Sequence, residues 1–283
     1  MSSEITVPNK VGVLGGGRMG GGIAHSFLAA GAEVVVVDIN DAAVEAAKER
    51  ITKDIEGSIK RGAAGTVEEW SSRLSFSVDH SAFAGLELVV EAVPESFELK
   101  TNAFAQISAH APEAVIATNT SSLSVSDLAA TVNNQVIGLH FFNPVPASNL
   151  VEIVVATQTP QDLVEVARGW VEALGKTPIV VKDSPGFASS RLGVVIALEA
   201  IRMVEEGVAS PKDIDNAMVL GYKFPIGPLE LTDIVGLDVR LGIAEYLEST
   251  LGANFTPPQL MRDMVARGEL GRKSGKGFYD YSA

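Results

Sequence analysis

Short apolar runs recur along the first two thirds of the chain, with amphipathic stretches between them. The runs are KVGVLG (10–15), AEVVVVD (32–38), LELVVEAV (86–93), AVIAT (114–118), QVIGLHFF (135–142), LVEIVVA (150–156) and TPIVVK (177–182). Helical spacing occupies the gaps near 18–30, 41–61, 96–109, 124–131 and 160–174. Strands that are apolar on both faces, alternating with helices, predict a mostly parallel sheet covered on both sides. The expected class is α/β, a Rossmann-type doubly wound sheet followed by an all-helical C-terminal domain. After about residue 184 the strand signal stops. A long helical pattern runs over 187–207 and ends at Gly207; Ser210 then offers an N-cap with Pro211 at the first helical position. DSPGF (183–187) is the expected joint, giving an α/β domain over 1–184 and an all-helical domain over 185–283.

Composition narrows the chemistry. The 283 residues are 46% hydrophobic, enough for a packed core. There is no cysteine, which rules out disulfides, thiolate metal sites and cysteine nucleophiles, and fits a reducing cytoplasm. No metal site is expected. The N-terminus lacks the apolar stretch of a secretory signal, and no run approaches the ~20 residues of a membrane span. A formal charge of −13 disfavours nucleic acid and anionic lipid as partners. An anionic ligand must then be held by local backbone donors or a few placed cations.

Such donors are at hand. Gly15-x-Gly17-x-x-Gly20 follows the first predicted strand and opens a helix, and Asp38 ends the second strand. Gly15 permits the tight turn, Gly17 removes the Cβ that would block a pyrophosphate, and Gly20 lets the helix approach the sheet. The helix N-terminus adds unpaired N–H groups and a partial positive charge. Asp38 would accept from ribose hydroxyls and repel a 2′-phosphate, and no arginine stands beside it in sequence, so NAD is expected.

The second chemical signal is HFFNPVPASNLVE (140–152), in a chain with four histidines. A hairpin turning at Pro146 would set His140 opposite Glu152 on one face of the sheet. A carboxylate there would hold one imidazole nitrogen and raise the basicity of the other, as a general base requires. Spacing alone leaves open a core histidine satisfied by backbone with a surface glutamate; the dinucleotide fold favours the base. His25, His80 and His110 read as structural.

These segments, with VVEAVPE, NTSSLS, GLHFFNPVP, DSPGF, GPLELTDIVGLD and GRKSGKGFYDY, resemble the 3-hydroxyacyl-CoA dehydrogenase family, most of all its bacterial 3-hydroxybutyryl-CoA branch. The resemblance implies NAD as cofactor and a short-chain (3S)-3-hydroxyacyl-CoA substrate, oxidised reversibly to the 3-ketoacyl-CoA. It assigns His140 as base, Glu152 as its orienting partner and Ser121 to the substrate oxygen. Arg18, Met19, Glu95, Lys100, Asn143 and Lys273 join Gly15, Gly17, Gly20 and Asp38 as cofactor contacts. The residues alone allow other readings: Ser121 as a helix cap, Asn143 as a turn residue, Glu95 as the cap of the helix from 96, and Lys100 as a solvated face.

Two positions depart from the family pattern. Ser190 stands where PGFxxNRL has asparagine near the substrate carbonyl. Ser58 matches a CoA-phosphate serine, but the lysine seven residues on is Gly65; Lys60 or Arg61 could substitute, or simply end a helix. The alternatives are therefore a dehydrogenase of free 3-hydroxy acids, as in carnitine and gulonate relatives, or a non-catalytic crystallin-like relative. A homodimer through the helical domain is expected from apolar faces such as LGVVIALEAI.

Overall fold

The computed structural model describes residues 6–282. The stretch for which no secretory signal is expected begins at residues 1–5, outside the described residues. Two compact units divide between Ser184 and Pro185.

In the first unit the elements follow in order β1 (Lys10–Leu14), α1 (Arg18–Ala29), β2 (Glu33–Val37), α2 (Asp41–Lys60), α3 (Val67–Ser71), β3 (Leu74–Ser77), β4 (Leu88–Glu91), α4 (Phe97–His110), β5 (Val115–Thr118), α5 (Val125–Ala129), β6 (Val136–Phe141), β7 (Leu150–Val155), α6 (Gln161–Ala173) and β8 (Thr177–Lys182). The strands form one sheet in the order β3-β2-β1-β4-β5-β6-β7-β8. Every pairing is parallel except β6 with β7. The order reverses between β1 and β4, so the carboxyl ends of these neighbours frame the crevice where doubly wound folds take ligands.

Burial on both faces explains the unbroken apolar runs. Val11, Val13, Val34, Val36, Leu88, Val90, Ile137 and Leu139 are all buried, with Ile23 and Phe27 of α1 packed into the same cluster. Each fully buried Val, Leu, Ile or Phe side chain contributes ~1.5–3 kcal/mol over an exposed one. The edge strand β3 and the short helix α3 lie outside the predicted elements. Leu74-Ser-Phe76-Ser alternates over only four residues, as a half-exposed edge strand does. Thr66 and Glu69 form a capping box at the start of α3.

The second unit holds α7 (Ser189–Glu205), α8 (Pro211–Asn216), α9 (Pro228–Val235), α10 (Leu237–Leu251) and α11 (Gln259–Ala266). Ser210 caps α8 through Asp213 N, with Pro211 in its first turn. Leu198, Ile201, Leu229, Ala244, Leu247 and Met261 make its core. Among the described residues no helix is long and apolar enough to cross a membrane.

Candidate active site

The glycine loop leaves β1 and enters α1. Gly15 has φ +95°, a conformation that favours glycine. A Cβ on Gly20 would collide with Gly15 O, whereas one on Gly17 would meet nothing within 4 Å. The first position therefore serves helix–strand contact and the second leaves the approach to the helix end open. Gly17 is the N-cap of α1 and supplies no side-chain cap, so the first-turn N–H groups of Arg18, Met19 and Gly20 are oriented for an anion. Arg18 is exposed, and Met19 packs partly against the core.

Asp38 sits beside this loop. Its Oδ2 accepts from Gly16 N at 2.7 Å and its Oδ1 from Ile39 N at 2.7 Å. Each oxygen keeps a lone pair for a ribose hydroxyl. The expectation that no arginine is near holds only in sequence. Arg50 Nη1 donates to Gly16 O at 2.6 Å, because the helix after β2 folds back over the loop. These features fit a dinucleotide: an uncapped helix end for the diphosphate and a carboxylate for the adenosine ribose.

The antiparallel pairing of β6 and β7 sets His140 directly opposite Glu152. His140 Nδ1 and Glu152 Oε2 are 2.7 Å apart. Glu152 is fully buried, since β7 is an interior strand, and His140 is almost as buried. Phe142 lies tilted against the imidazole at 4.5 Å. With Nδ1 committed to the carboxylate, acid–base chemistry falls to Nε2. Asn119 Oδ1 accepts from Phe141 N at 2.9 Å, tying the loop after β5 to the end of β6.

That loop carries Ser121, and a buried charge network supports it. Glu95 Oε1 accepts from Ser121 N at 2.8 Å and Ser122 N at 2.9 Å, and from the hydroxyls of Thr120, Ser121 and Ser122. Burial pushes the Glu95 pKa up, but the Lys100 cation and these hydrogen bonds outweigh it, and the net shift is downward. Lys100 Nζ donates to Glu91 Oε1 at 2.8 Å and Val93 O at 3.2 Å, and lies 3.5 Å from Glu95 Oε2. Glu91 Oε2 accepts from Thr118 Oγ1 at 2.7 Å.

Several expectations need correction here. Lys100 is 1% exposed, so it is not a solvated helix face. Its ammonium bonds Glu91 and Val93 O and lies beside Glu95, which it supports. Ser96, not Glu95, caps α4, and Ser124, not Ser121, caps α5. His25 is not isolated: its Nε2 lies 2.9 Å from Ser58 Oγ, and burial lowers its pKa, with Arg61 and Lys176 adding to the effect.

The remaining predicted residues are dispersed. Arg61 Nη2 donates to Ser58 Oγ at 3.2 Å, while Lys60 is exposed. Gly65 has φ +93° and faces Glu69 and Trp70, a place where a lysine would be strained. Asn143 is exposed and precedes Pro144 through a cis peptide bond. In the helical unit, Ser190 lies in the first turn of α7, and Lys273 Nζ bonds Asp238 Oδ2 at 2.6 Å. Sequence reasoning missed Glu91, Thr118, Asn119 and Arg50. Only Glu91 gave a signal, a charge closing an apolar run.

Fold and site together define a class: a Rossmann dinucleotide-binding protein with a buried histidine–glutamate pair where β6 meets β7, and a helical second domain. The 3-hydroxyacyl-CoA dehydrogenase NAD binding domain matches residues 10–184, and the C-terminal domain of the same family matches 186–281. The chain is 42% identical over 277 residues to a probable 3-hydroxybutyryl-CoA dehydrogenase of Deinococcus radiodurans, covering 96% of this chain and 100% of that one. It is 40% identical over 284 residues to the mitochondrial hydroxyacyl-coenzyme A dehydrogenase of Rattus norvegicus, covering 96% and 90%. The solved (S)-3-hydroxybutyryl-CoA dehydrogenase of Ralstonia eutropha superposes with a TM-score of 0.92 at 38% identity, over 98% of this chain and 100% of that one. The chain belongs to the 3-hydroxyacyl-CoA dehydrogenase family, and its cofactor is NAD.

Proposed function

We propose that the protein oxidises short-chain (3S)-3-hydroxyacyl-CoA thioesters to 3-ketoacyl-CoA, reversibly, with His140 as the general base. The observation that carries this reading is the 2.7 Å contact between His140 Nδ1 and the buried Glu152 carboxylate. NAD, when bound, supplies the acceptor for the C3 hydride. His140 Nε2 takes the hydroxyl proton as the C3 hydrogen leaves with its electron pair and the carbonyl forms. Glu152 fixes the ring and stabilises the imidazolium. Ser121 hydrogen-bonds the substrate oxygen, positioned by Glu95. Gly15 to Gly20 and Asp38 hold the diphosphate and ribose, with Asn143 and Lys273 as further contacts. Ser58 with Arg61 or Lys60 receives a CoA phosphate, and Ser190 meets the substrate's carbonyl region. A panel of C4 to C10 3-ketoacyl-CoAs and free 3-keto acids, followed at the NADH absorbance, tests the reading. Turnover of acetoacetyl-CoA supports it, and activity confined to free acids overturns the thioester.

The free-acid reading draws on Gly65, whose φ of +93° suits no lysine at the position where the family places a phosphate contact. We also assign a homodimer through the helical unit, where Leu192, Leu220, Tyr222 and Val239 are exposed. A monomer by light scattering contradicts it. The cysteine-free composition supports a cytoplasmic location, which fractionation tests.

A further inference from the structure

An arginine with no part in the chemistry above reaches the loop that receives the cofactor. Ala47, Arg50 and Ile51 share one face of α2, and that face lies on the glycine loop and α1. A Cβ on Gly16 would collide with Ala47 Cβ. One on Gly21 would stand 3.3 Å from Arg50 Cδ and 3.5 Å from Ile51 Cγ1. The two glycines thus let α2 come close enough for a side chain to bond the main chain of the loop. Arg50, half-buried, does so: its Nη1 donates to Gly16 O at 2.6 Å.

Gly16 is therefore gripped through both of its peptides. Its N–H belongs to the Gly15–Gly16 peptide and donates to Asp38 Oδ2 at 2.7 Å. Its carbonyl belongs to the Gly16–Gly17 peptide and accepts from Arg50. That second peptide is trans, and in a trans peptide the C=O and the N–H point in opposite directions. With the carbonyl turned onto α2, the Gly17 N–H is turned away from it. No group among the described residues accepts from this N–H, and a Cβ on Gly17 would meet nothing within 4 Å. It is a free donor on an open residue.

We propose that Arg50 is a positioning residue for the cofactor, acting through the Gly16–Gly17 peptide. It fixes the plane of that peptide so that Gly17 N–H is presented to the diphosphate. Its charge on the carbonyl oxygen also polarises the amide, which makes the N–H a stronger donor. Asp38 holds the preceding peptide, so the groups that read the ribose and the diphosphate are joined through one glycine. Arg50 itself touches no cofactor atom. The inference rests on the reading that the glycine loop receives the diphosphate of NAD.

The test compares wild type with Arg50→Met, which keeps an apolar stem against Gly21 and loses the bond to Gly16. Dissociation constants are measured for NADH by its fluorescence, and for ADP-ribose and adenosine by competition with it. The first two carry the diphosphate; adenosine keeps only the part that Asp38 reads. Kd should rise about tenfold for NADH and ADP-ribose, as for one charge-assisted hydrogen bond, and less than about twofold for adenosine. In turnover, KM for NADH should rise while kcat stays within about twofold. An equal loss on all three ligands would reduce Arg50 to a structural brace and overturns the proposal, as does an unchanged NADH affinity. Should Arg50→Met fail to fold, Arg50→Gln decides, since it keeps a donor without the charge. A loss of about threefold for NADH with adenosine unaffected supports the proposal; equal losses, or none, overturn it. Gly17→Val checks the loop reading separately. If that variant binds NADH as tightly as wild type, the diphosphate lies elsewhere, and the loop reading falls with the proposal. If Gly17→Val loses NADH and Arg50→Met does not, only the role of Arg50 falls.

Discussion

The interior strands of the first unit and the core of the helical unit both bury carboxyl groups, but on opposite terms. Among the interior strands each carboxylate has a basic partner: Glu91 and Glu95 with Lys100, and Glu152 with His140. In the helical unit Asp233 is fully buried and has no ion pair among the described residues. It accepts from Phe278 N at 3.0 Å, Tyr279 N at 2.9 Å and Tyr281 Oη at 3.1 Å. Asp215 accepts from Leu229 N, Glu230 N and Tyr279 Oη. Burial raises the Asp233 pKa, and Asp215 adds to the rise, whereas Glu95 is held low. Burial alone therefore does not set a carboxyl's charge state; its partner does. Glu95, beneath Ser121, is held low by its cation and its donors, whereas Asp233, which fastens the C-terminal segment, is raised.

The sharpest way to break this contrast is at His140. His140→Gln keeps a donor for Glu152 but removes the base, and kcat should fall about 10³-fold while NADH affinity and Tm stay close to wild type. A variant that loses stability instead of turnover would make the pair structural. Lys100→Met should come next, costing about 3 kcal/mol in urea denaturation, because Glu91 becomes a buried carboxylate without a cation. Glu95 also loses the charge that holds its pKa down, so the acid limb of kcat/KM against pH should move upward. An unmoved pH profile would mean that Lys100 does not act through Glu95.

Asp233→Asn sharpens the other side. The amide presents a donor where the carboxylate accepted, at a cost of about 2 kcal/mol, with the pH profile of kcat/KM unchanged. A shifted profile would put Asp233 in the reaction. The smallest effect is in stability against pH. Asp233 has a raised pKa, so its ionised form penalises the fold at neutral pH, and the penalty eases as pH falls toward its ordinary 3.8. Glu95, with a lowered pKa, contributes fully above 4.5 and loses its contribution only as pH falls below that value. Urea midpoints should therefore show wild type gaining slightly on Asp233→Asn as pH falls from neutral toward 3.8. A loss over that interval would reverse the assignment.

Local pattern and local chemistry were legible in the chain. The seven apolar runs correspond to seven of the eight strands. Gly15, Gly17 and Gly20 announced their turn because each answers to its own backbone. The opposition of His140 and Glu152 could be read from twelve residues because a hairpin fixes register within itself. The edge strand β3 was not legible, since four half-exposed residues carry too little pattern.

Length, periodicity and turn chemistry are properties of neighbouring residues, so the sequence by itself determined the doubly wound class, the glycine loop and the β6–β7 pair. Strand order and helix packing decided the rest. They brought Arg50 to Gly16, Thr118 to Glu91, Glu95 to Ser121 and Arg240 to Gly193, residues far apart in the chain in every case. No local rule assigns those partners, because a side chain's electrostatic environment is set by whatever the fold places within a few ångströms of it.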